Sequence, residues 1–196
     1  MLFRSRIVGD TYRRLERLDD AAEALRAGLE LAERIGNAEE IGGCLLNLAL
    51  VDLQRGALAQ AIACNRRAIE EFERIGNASG RAQGYANLAW LLFETSERAE
   101  ALLYCERALE LARTIGNSLT MADVQDTMAT ISFTDGDLAR AVEQAEQAAA
   151  LYVEMGALPQ AAGSLELAAK AWELRGDAER ARAARTRARE VAPNAA

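Results

Sequence analysis

Histidine is absent from the 196 residues of this chain, which excludes Ser-His-Asp and Cys-His catalytic relays and the usual histidine metal sites. Proline is scarce: Pro159 and Pro193 are the only two, so long stretches are free to stay helical. Aromatic residues make up 5% of the chain, and a core must therefore consist mainly of Ala, Leu and Ile. No stretch approaches the roughly 20 apolar residues of a membrane-spanning helix. These scarcities favour an all-α protein that is not an enzyme and needs no cofactor.

The charge is acidic, with a net value of −7, which argues against a nucleic-acid surface. Cys44, Cys64 and Cys105 lack CxxC spacing and lie in apolar helical patterns. Their pattern favours reduced thiols in the cytoplasm over a disulfide framework. Lys170 is the only lysine, and this arginine preference, with the high Ala content, indicates a bacterial gene. We interpret the arginines of residues 178–191 as the polar outer face of a terminal helix, with a phosphate or nucleic-acid site as the alternative.

An internal repeat of 40 residues runs through the sequence. Ile35-Gly36-Asn37 recurs at residues 75–77 and 115–117, and more weakly at residues 155–157. Small residues recur at the same interval in three series, which are Ala21, Ala61, Ala101, Ala141 and Ala181; Gly9, Ala49, Ala89, Ala129 and Ala169; and Gly28, Ala68, Ala108, Ala148 and Ala188. Small residues allow helices to approach closely, so the series predict the same helix crossing in every repeat.

Between these positions the apolar residues follow helical spacing, and each repeat is predicted to be two antiparallel helices of about 16 residues. The glycine of each Ile-Gly-Asn motif would end one helix in the left-handed conformation, and the asparagine would cap the next. Asp137 and Asp177 are predicted caps of the same kind. Glu40, three residues after Asn37, predicts a capping box. A second turn is marked by Gly56, Gly136 and Gly176, with Glu16 and Ser96 at the equivalent positions.

The stretch from Asn47-Leu48-Ala49 through Gly56 to Ala61 and Ala68 resembles the tetratricopeptide repeat in its long form, as in Leu-Gly-Asn-repeat adaptors, kinesin light chains and bacterial peptide-sensing regulators. The resemblance implies a right-handed superhelical solenoid of about five repeats and ten helices. We expect one array over residues 1–196, with repeats at 1–37, 38–77, 78–117, 118–157 and 158–193.

The first residues invite a separate interpretation. Leu2-Phe3-Arg4-Ser5 is the translation of the end of a common sequencing adapter, so we interpret residues 1–5 as an assembly artefact, with chance as the alternative. The first repeat also begins abruptly within its first helix. We therefore expect the chain to be the C-terminal part of a longer protein.

The resemblance implies that the first helix of each repeat lines a concave groove. Asn47 and Asn87 match the groove asparagine with which related repeats hold an extended peptide backbone, and an amide offers both a donor and an acceptor. The predicted apolar contacts are Leu50, Trp90, Phe93 and Phe133, and Arg13 and Arg14 would form a basic entrance. An alternative is that Asn47 and Asn87 satisfy neighbouring groups of their own fold and that Trp90 packs between repeats.

The function implied is recognition of an extended peptide or partner segment in that groove, as the regulatory or sensing part of a larger bacterial protein. The alternative is a passive assembly scaffold, which would act through the convex face or self-associate through an open N-terminal repeat. Neither nucleic acid nor a membrane is an expected partner of this chain.

Overall fold

The computed structural model describes residues 2–192, with side chains from residue 6 onward. The proposed artefact at residues 1–5 and the end of the fifth repeat at residue 193 therefore lie outside the described residues or their side chains. Over the described range the secondary structure is entirely helical, in the order α1 (Leu2–Arg14), α2 (Leu18–Ile35), α3 (Ala38–Gln54), α4 (Leu58–Arg74), α5 (Ala78–Glu94), α6 (Arg98–Ile115), α7 (Ser118–Thr134), α8 (Leu138–Glu154), α9 (Leu158–Leu174) and α10 (Ala178–Val191). None of these helices is long and apolar enough to cross a bilayer. The predicted all-α repeat of helix pairs is confirmed.

The chain divides into two compact units, residues 1–104 and residues 105–196, with the boundary inside α6. In the first unit, successive helices pack side by side, and α3 also contacts α1 and α5, the first helices of the neighbouring pairs. In the second unit, α7, α8, α9 and α10 pack in succession, and α7 also contacts α9. Each unit thus places its first helices next to one another, which builds one continuous face from side chains of different repeats.

Left-handed residues end the helices at the predicted positions. Gly36, Gly76 and Gly116 have φ values of 70°, 70° and 67°. The N–H of Asn37 donates to the carbonyl of Ala32 over 3.0 Å, and this closes the last turn of α2. The predicted caps are also confirmed: Oδ1 accepts the backbone N–H three residues on at Asn37, Asn77, Asn117, Asp137 and Asp177, over 2.8 to 3.2 Å.

The predicted capping box at Glu40 is wrong. The N–H of Asn37 that it would have bonded is already donated to Ala32. Glu40 is instead buried, and its Oε2 lies 3.8 Å from Nε of Arg6 on α1. A long-range ion pair has therefore replaced the local bond, because the first turn of α3 faces another helix and not solvent.

The second turn holds two residues under backbone strain. Glu16 and Ser96 occupy the left-handed region, with φ of 58° and 66°, at the positions where other repeats carry Gly56, Gly136 and Gly176. The equivalence was visible in the sequence and is confirmed. A side chain with a Cβ adopts this conformation at a cost that glycine avoids.

We expect Ser96→Gly to raise the free energy of unfolding by about 0.5–1 kcal/mol, since the strain outweighs the greater unfolded-state freedom of glycine. Thermal unfolding followed by circular dichroism measures the change. Ser96→Ala retains the Cβ and is the control, which should give no stabilisation. Equal stabilisation by both variants would show that the serine hydroxyl, and not the backbone, is the cause.

Candidate functional site

An open cleft of about 570 Å³ lies against the first helices of the first unit, and we call it the α1–α3–α5 cleft. The lining residues from α1 are Arg6, Ile7, Asp10, Thr11, Arg13 and Arg14; those from α3 are Gly43, Leu46, Asn47 and Leu50; α4 contributes Phe72 and α5 contributes Gln83. The cleft combines an apolar surface with amides and charges. A mixed lining of this kind suits a polypeptide segment, which carries both apolar side chains and backbone polar groups.

Asn47 presents one half of its amide to the cleft. Its Nδ2 donates to the carbonyl of Gly43, one helical turn earlier, over 2.9 Å. This bond fixes the orientation of the amide, and within the described residues Oδ1 has no hydrogen-bond partner. Asn47 is therefore arranged as an acceptor for an N–H that enters the cleft.

The arginines at the end of α1 share a single carboxylate. Arg13 donates to Oδ1 of Asp10 over 2.7 Å through Nη2, and Arg14 donates to Oδ2 over 2.9 Å through Nε. Partial burial raises the pKa of Asp10, but the hydrogen bonds and charges of the two guanidiniums outweigh it, so the net pKa lies below the ordinary value. Two cations and one anion leave this end of the cleft with a net positive charge.

The apolar wall of the cleft consists of side chains from two helices. Leu46 and Leu50 lie on α3, while Phe72 comes from α4, a second helix. A Cβ added to Gly80 would lie 2.5 Å from Cγ of the Phe72 ring, and one added to Gly42 would lie 2.6 Å from its Cζ. The ring therefore passes between two helices at glycines that leave room for it.

The structure brings together four of the predicted site residues, Arg13, Arg14, Asn47 and Leu50, on the α1–α3–α5 cleft. Asn87, Trp90 and Phe93 lie further along α5 and do not line it. Nδ2 of Asn87 is buried without a hydrogen-bond partner among the described residues, unlike that of Asn47. The two asparagines, equivalent in sequence, are therefore not equivalent in bonding.

The three predicted aromatic contacts occupy different surroundings. Trp90 and Phe93 are half-buried and form a tilted ring pair, with centroids 5.6 Å apart. Phe133 belongs to the second unit, where it packs against the cluster of Ala141, Val142 and Ala171. Its main contacts are thus with the core of its own unit.

Helical spacing also predicts Arg6, Asp10, Leu46 and Gln83 on the first-helix faces, whereas the other four lining residues of the cleft, Ile7, Thr11, Gly43 and Phe72, were not predicted. Ile7 and Thr11 lie one turn from Asp10 on the same face of α1, so helical spacing could have found them. The signal for Phe72 was the pair of glycines that flank its ring, Gly42 on α3 and Gly80 on α5, which lie far apart in the sequence.

The first-helix face of the second unit carries two carboxylates held by neutral donors. The Tyr152 hydroxyl donates to Oδ1 of Asp123 over 2.6 Å, and the Ser164 hydroxyl donates to Oδ1 of Asp126 over the same distance. Burial raises the pKa of Asp126, and the Ser164 hydrogen bond offsets this only in part. These bonds join α7 to α8 and α9, which is a structural role.

The thiols are poor nucleophiles. Burial raises the pKa of Cys44 to about 11 and that of Cys105 to about 12, so both are protonated at neutral pH.

No group of three or more metal-ligating side chains occurs within the described part of the chain. Two arginines of α10 are engaged by acids: Arg185 donates to Glu173 over 2.5 Å, and Arg187 lies 3.7 Å from Glu146.

Two stretches of the sequence, residues 81–115 and residues 7–35, match family models described as tetratricopeptide repeat. The chain contains tetratricopeptide repeats. None of the curated proteins compared with this repeat protein matches it.

Solved structures resemble the tetratricopeptide-repeat protein over nearly its whole length. BtubC (BKLC) from P. vanneervenii has a TM-score of 0.80 and 18% identity, over 95% of this chain and 78% of that one. A Rap protein complexed with Competence and Sporulation Factor has a TM-score of 0.86 and 18% identity, over 98% and 54%. A plasmid Rap conjugation gene regulator, in complex with a peptide, has a TM-score of 0.82 and 13% identity, over 98% and 53%. The chain thus spans about half the length of the Rap proteins, and at these identities the likeness shows the fold alone.

Proposed function

We propose that the chain binds an extended peptide, or an extended segment of a partner protein, in the α1–α3–α5 cleft. The observation that carries this proposal is the fixed amide of Asn47, whose free Oδ1 faces a cleft lined by three first helices. A backbone N–H of an extended segment is the donor such an oxygen fits, irrespective of the segment's sequence.

The rest of the cleft can supply selectivity. Leu46, Leu50 and Phe72 offer an apolar surface for a side chain of the segment, and Arg13 and Arg14 lie across from it on α1. Because these groups come from different helices, a bound segment would contact α1 and α3 together and hold them in one arrangement.

The structural neighbours are consistent with this role. The two Rap structures named above were solved with Competence and Sporulation Factor and with a peptide. The proposed setting is a non-catalytic, regulatory or sensing part of a larger bacterial protein of the cytoplasm. A ligand would act there by favouring one arrangement of the helices over another.

The experiment compares wild type with Asn47→Thr in selection from a random-peptide library, followed by calorimetric titration of the enriched peptides. Threonine occurs naturally at the equivalent position, where the Thr127 hydroxyl donates to the carbonyl of Asp123 over 2.9 Å, so the variant keeps the bond to its own helix. It replaces the carbonyl that would face the ligand with a methyl group, which cannot accept a hydrogen bond. We expect binding to weaken about tenfold, as for loss of a buried hydrogen-bond partner.

The control is Gln54→Thr, which removes an exposed amide from the same helix outside the cleft. Equal affinity of wild type and Asn47→Thr would contradict the role of the asparagine. A library that yields no motif with wild type would move the scaffold role ahead, for which Ile7 on α1 and Leu15 directly after α1, 59% and 62% exposed, are available apolar contacts.

A further inference from the structure

A second cavity, of about 290 Å³, lies within the second unit between α6, α7 and α8, and we call it the α6–α8 slot. Its lining residues are Leu109, Arg113, Met121, Gln125, Gln147, Ala150 and Leu151. The walls are mostly apolar, and Arg113 is the only charged residue among these seven. The slot shares no residue with the α1–α3–α5 cleft.

Gln125 places an unpaired amide against the slot. The residue is 7% exposed, and neither its oxygen nor its nitrogen makes a hydrogen bond within the described part of the chain. Two equivalent positions, at intervals of 40 residues, hold Leu45 and Leu165, which are 2% and 1% exposed. Leucine therefore meets the packing requirement at two of the equivalent positions, the third of which holds Tyr85, and the glutamine places at the slot an amide that solvent or a ligand can pair.

The residue at the opening of the slot also differs from its equivalents in the other repeats. Ala150 occupies the position held elsewhere by Glu70, Glu110 and Glu190. Removing a long carboxylate side chain there clears the mouth of the slot and takes away a negative charge.

Arg113 reverses the charge on the other side of the mouth, because the equivalent positions hold Glu33 and Glu73. Its side chain is exposed, and within the described residues it forms no ion pair. In a chain of net charge −7, this mouth therefore favours an anionic group.

We propose that the α6–α8 slot binds a tyrosine side chain of a partner protein that has an acidic residue next to that tyrosine. The ring would lie against Leu109, Met121 and Leu151, and the hydroxyl would reach the Gln125 amide. A hydroxyl both donates and accepts, as an amide does, whereas phenylalanine or leucine would leave the amide unpaired. The neighbouring carboxylate would pair with Arg113.

The probes are three capped pentapeptides: Gly-Glu-Tyr-Glu-Gly, its Phe counterpart, and a counterpart with Lys in place of both Glu residues. Titration of the whole chain is followed by NMR, which resolves the side-chain amide of Gln125. We expect the Tyr peptide to shift this signal and to bind about fivefold or more tightly than either counterpart, because the Phe peptide offers the Gln125 amide no partner and the Lys peptide brings like charge to Arg113.

Three variants test the assignment, and each introduces a residue that an equivalent position of this chain already carries. Gln125→Leu should abolish the preference for Tyr over Phe. Arg113→Glu should abolish the preference for Glu over Lys, and Ala150→Glu should abolish binding of every peptide. Glu70→Ala makes the reverse of the last change in the first unit, and it should leave the affinities unchanged.

Equal binding of the Tyr and Phe peptides by wild type would overturn the proposal, as would shifts that map to residues outside the slot. A Gln125→Leu variant that retains the Tyr preference would do the same. Because the variants alter only the second unit, failure here leaves the role of Asn47 untouched, and failure of the Asn47 test leaves the slot untouched.

Discussion

Replacing Phe72 with alanine should lower the free energy of unfolding by about 3–5 kcal/mol, the range for a buried aromatic side chain that leaves a cavity. Phe72 is 4% exposed and packs in one cluster with Ile41, Leu45 and Leu46 of α3. The surrounding helices cannot close over the gap easily, because the ring lies between two glycines that have no side chains to move into it. Urea unfolding followed by far-UV circular dichroism measures the loss.

Ile75→Ala is the matched control for that measurement. Ile75 is also a large apolar residue, three positions on, but it is 44% exposed. Its truncation should change the free energy of unfolding by no more than about 0.5 kcal/mol. If both substitutions had similar small effects, the Phe72 site would be one that collapses freely, and the inference that the two glycines keep the gap open would be wrong.

Gly80→Ala is expected to destabilise the protein by about 1–3 kcal/mol, although alanine is the better helix former. The new Cβ would lie 2.5 Å from the Phe72 ring, and the same ring is confined on its other side by Gly42. The steric cost therefore outweighs the gain in helix propensity. Combining the change with Phe72→Leu, which vacates the space, should recover part of the loss.

Gly163→Ala is expected to change the free energy of unfolding in the opposite direction. This glycine lies in α9, is exposed, and would have nothing within 4 Å of its Cβ. Alanine should raise the free energy of unfolding there by about 0.5–1 kcal/mol. Two substitutions of identical chemistry should thus differ in sign, and a shift of both in the same direction would show that the contact with Phe72 does not decide the outcome.

Most of the fold was predictable from the sequence because its determinants are local and repeated. The left-handed glycine and the asparagine cap act within a few residues, and their recurrence every 40 positions fixed the helix ends. The same periodicity aligned Glu16 and Ser96 with the turn glycines, and the structure then showed that both share the left-handed backbone of those glycines. Glu40 was mispredicted because its partner, Arg6, lies on another helix.

The candidate site was less predictable, because bonding around a side chain depends on neighbours that periodicity does not specify. Asn47 and Asn87 are equivalent in the repeat, yet only the first donates to its own helix. Phe72 enters the cleft from a second helix, which an assignment by first-helix faces could not include. Gln125 was missed because its type is unusual only in comparison with the buried Leu45 and Leu165 at the equivalent positions of other repeats.

The carboxylate that Arg13 and Arg14 share has a consequence for how the cleft would respond to its medium. With its pKa below the ordinary value, Asp10 stays ionised until the solution is strongly acidic, and no histidine is present to titrate near neutrality. The charge at the Arg13 and Arg14 end of the α1–α3–α5 cleft is therefore constant over the physiological range of pH. Dissolved ions still screen this charge, so the affinity for an anionic segment would fall as the salt concentration rises and would not depend on pH in this range.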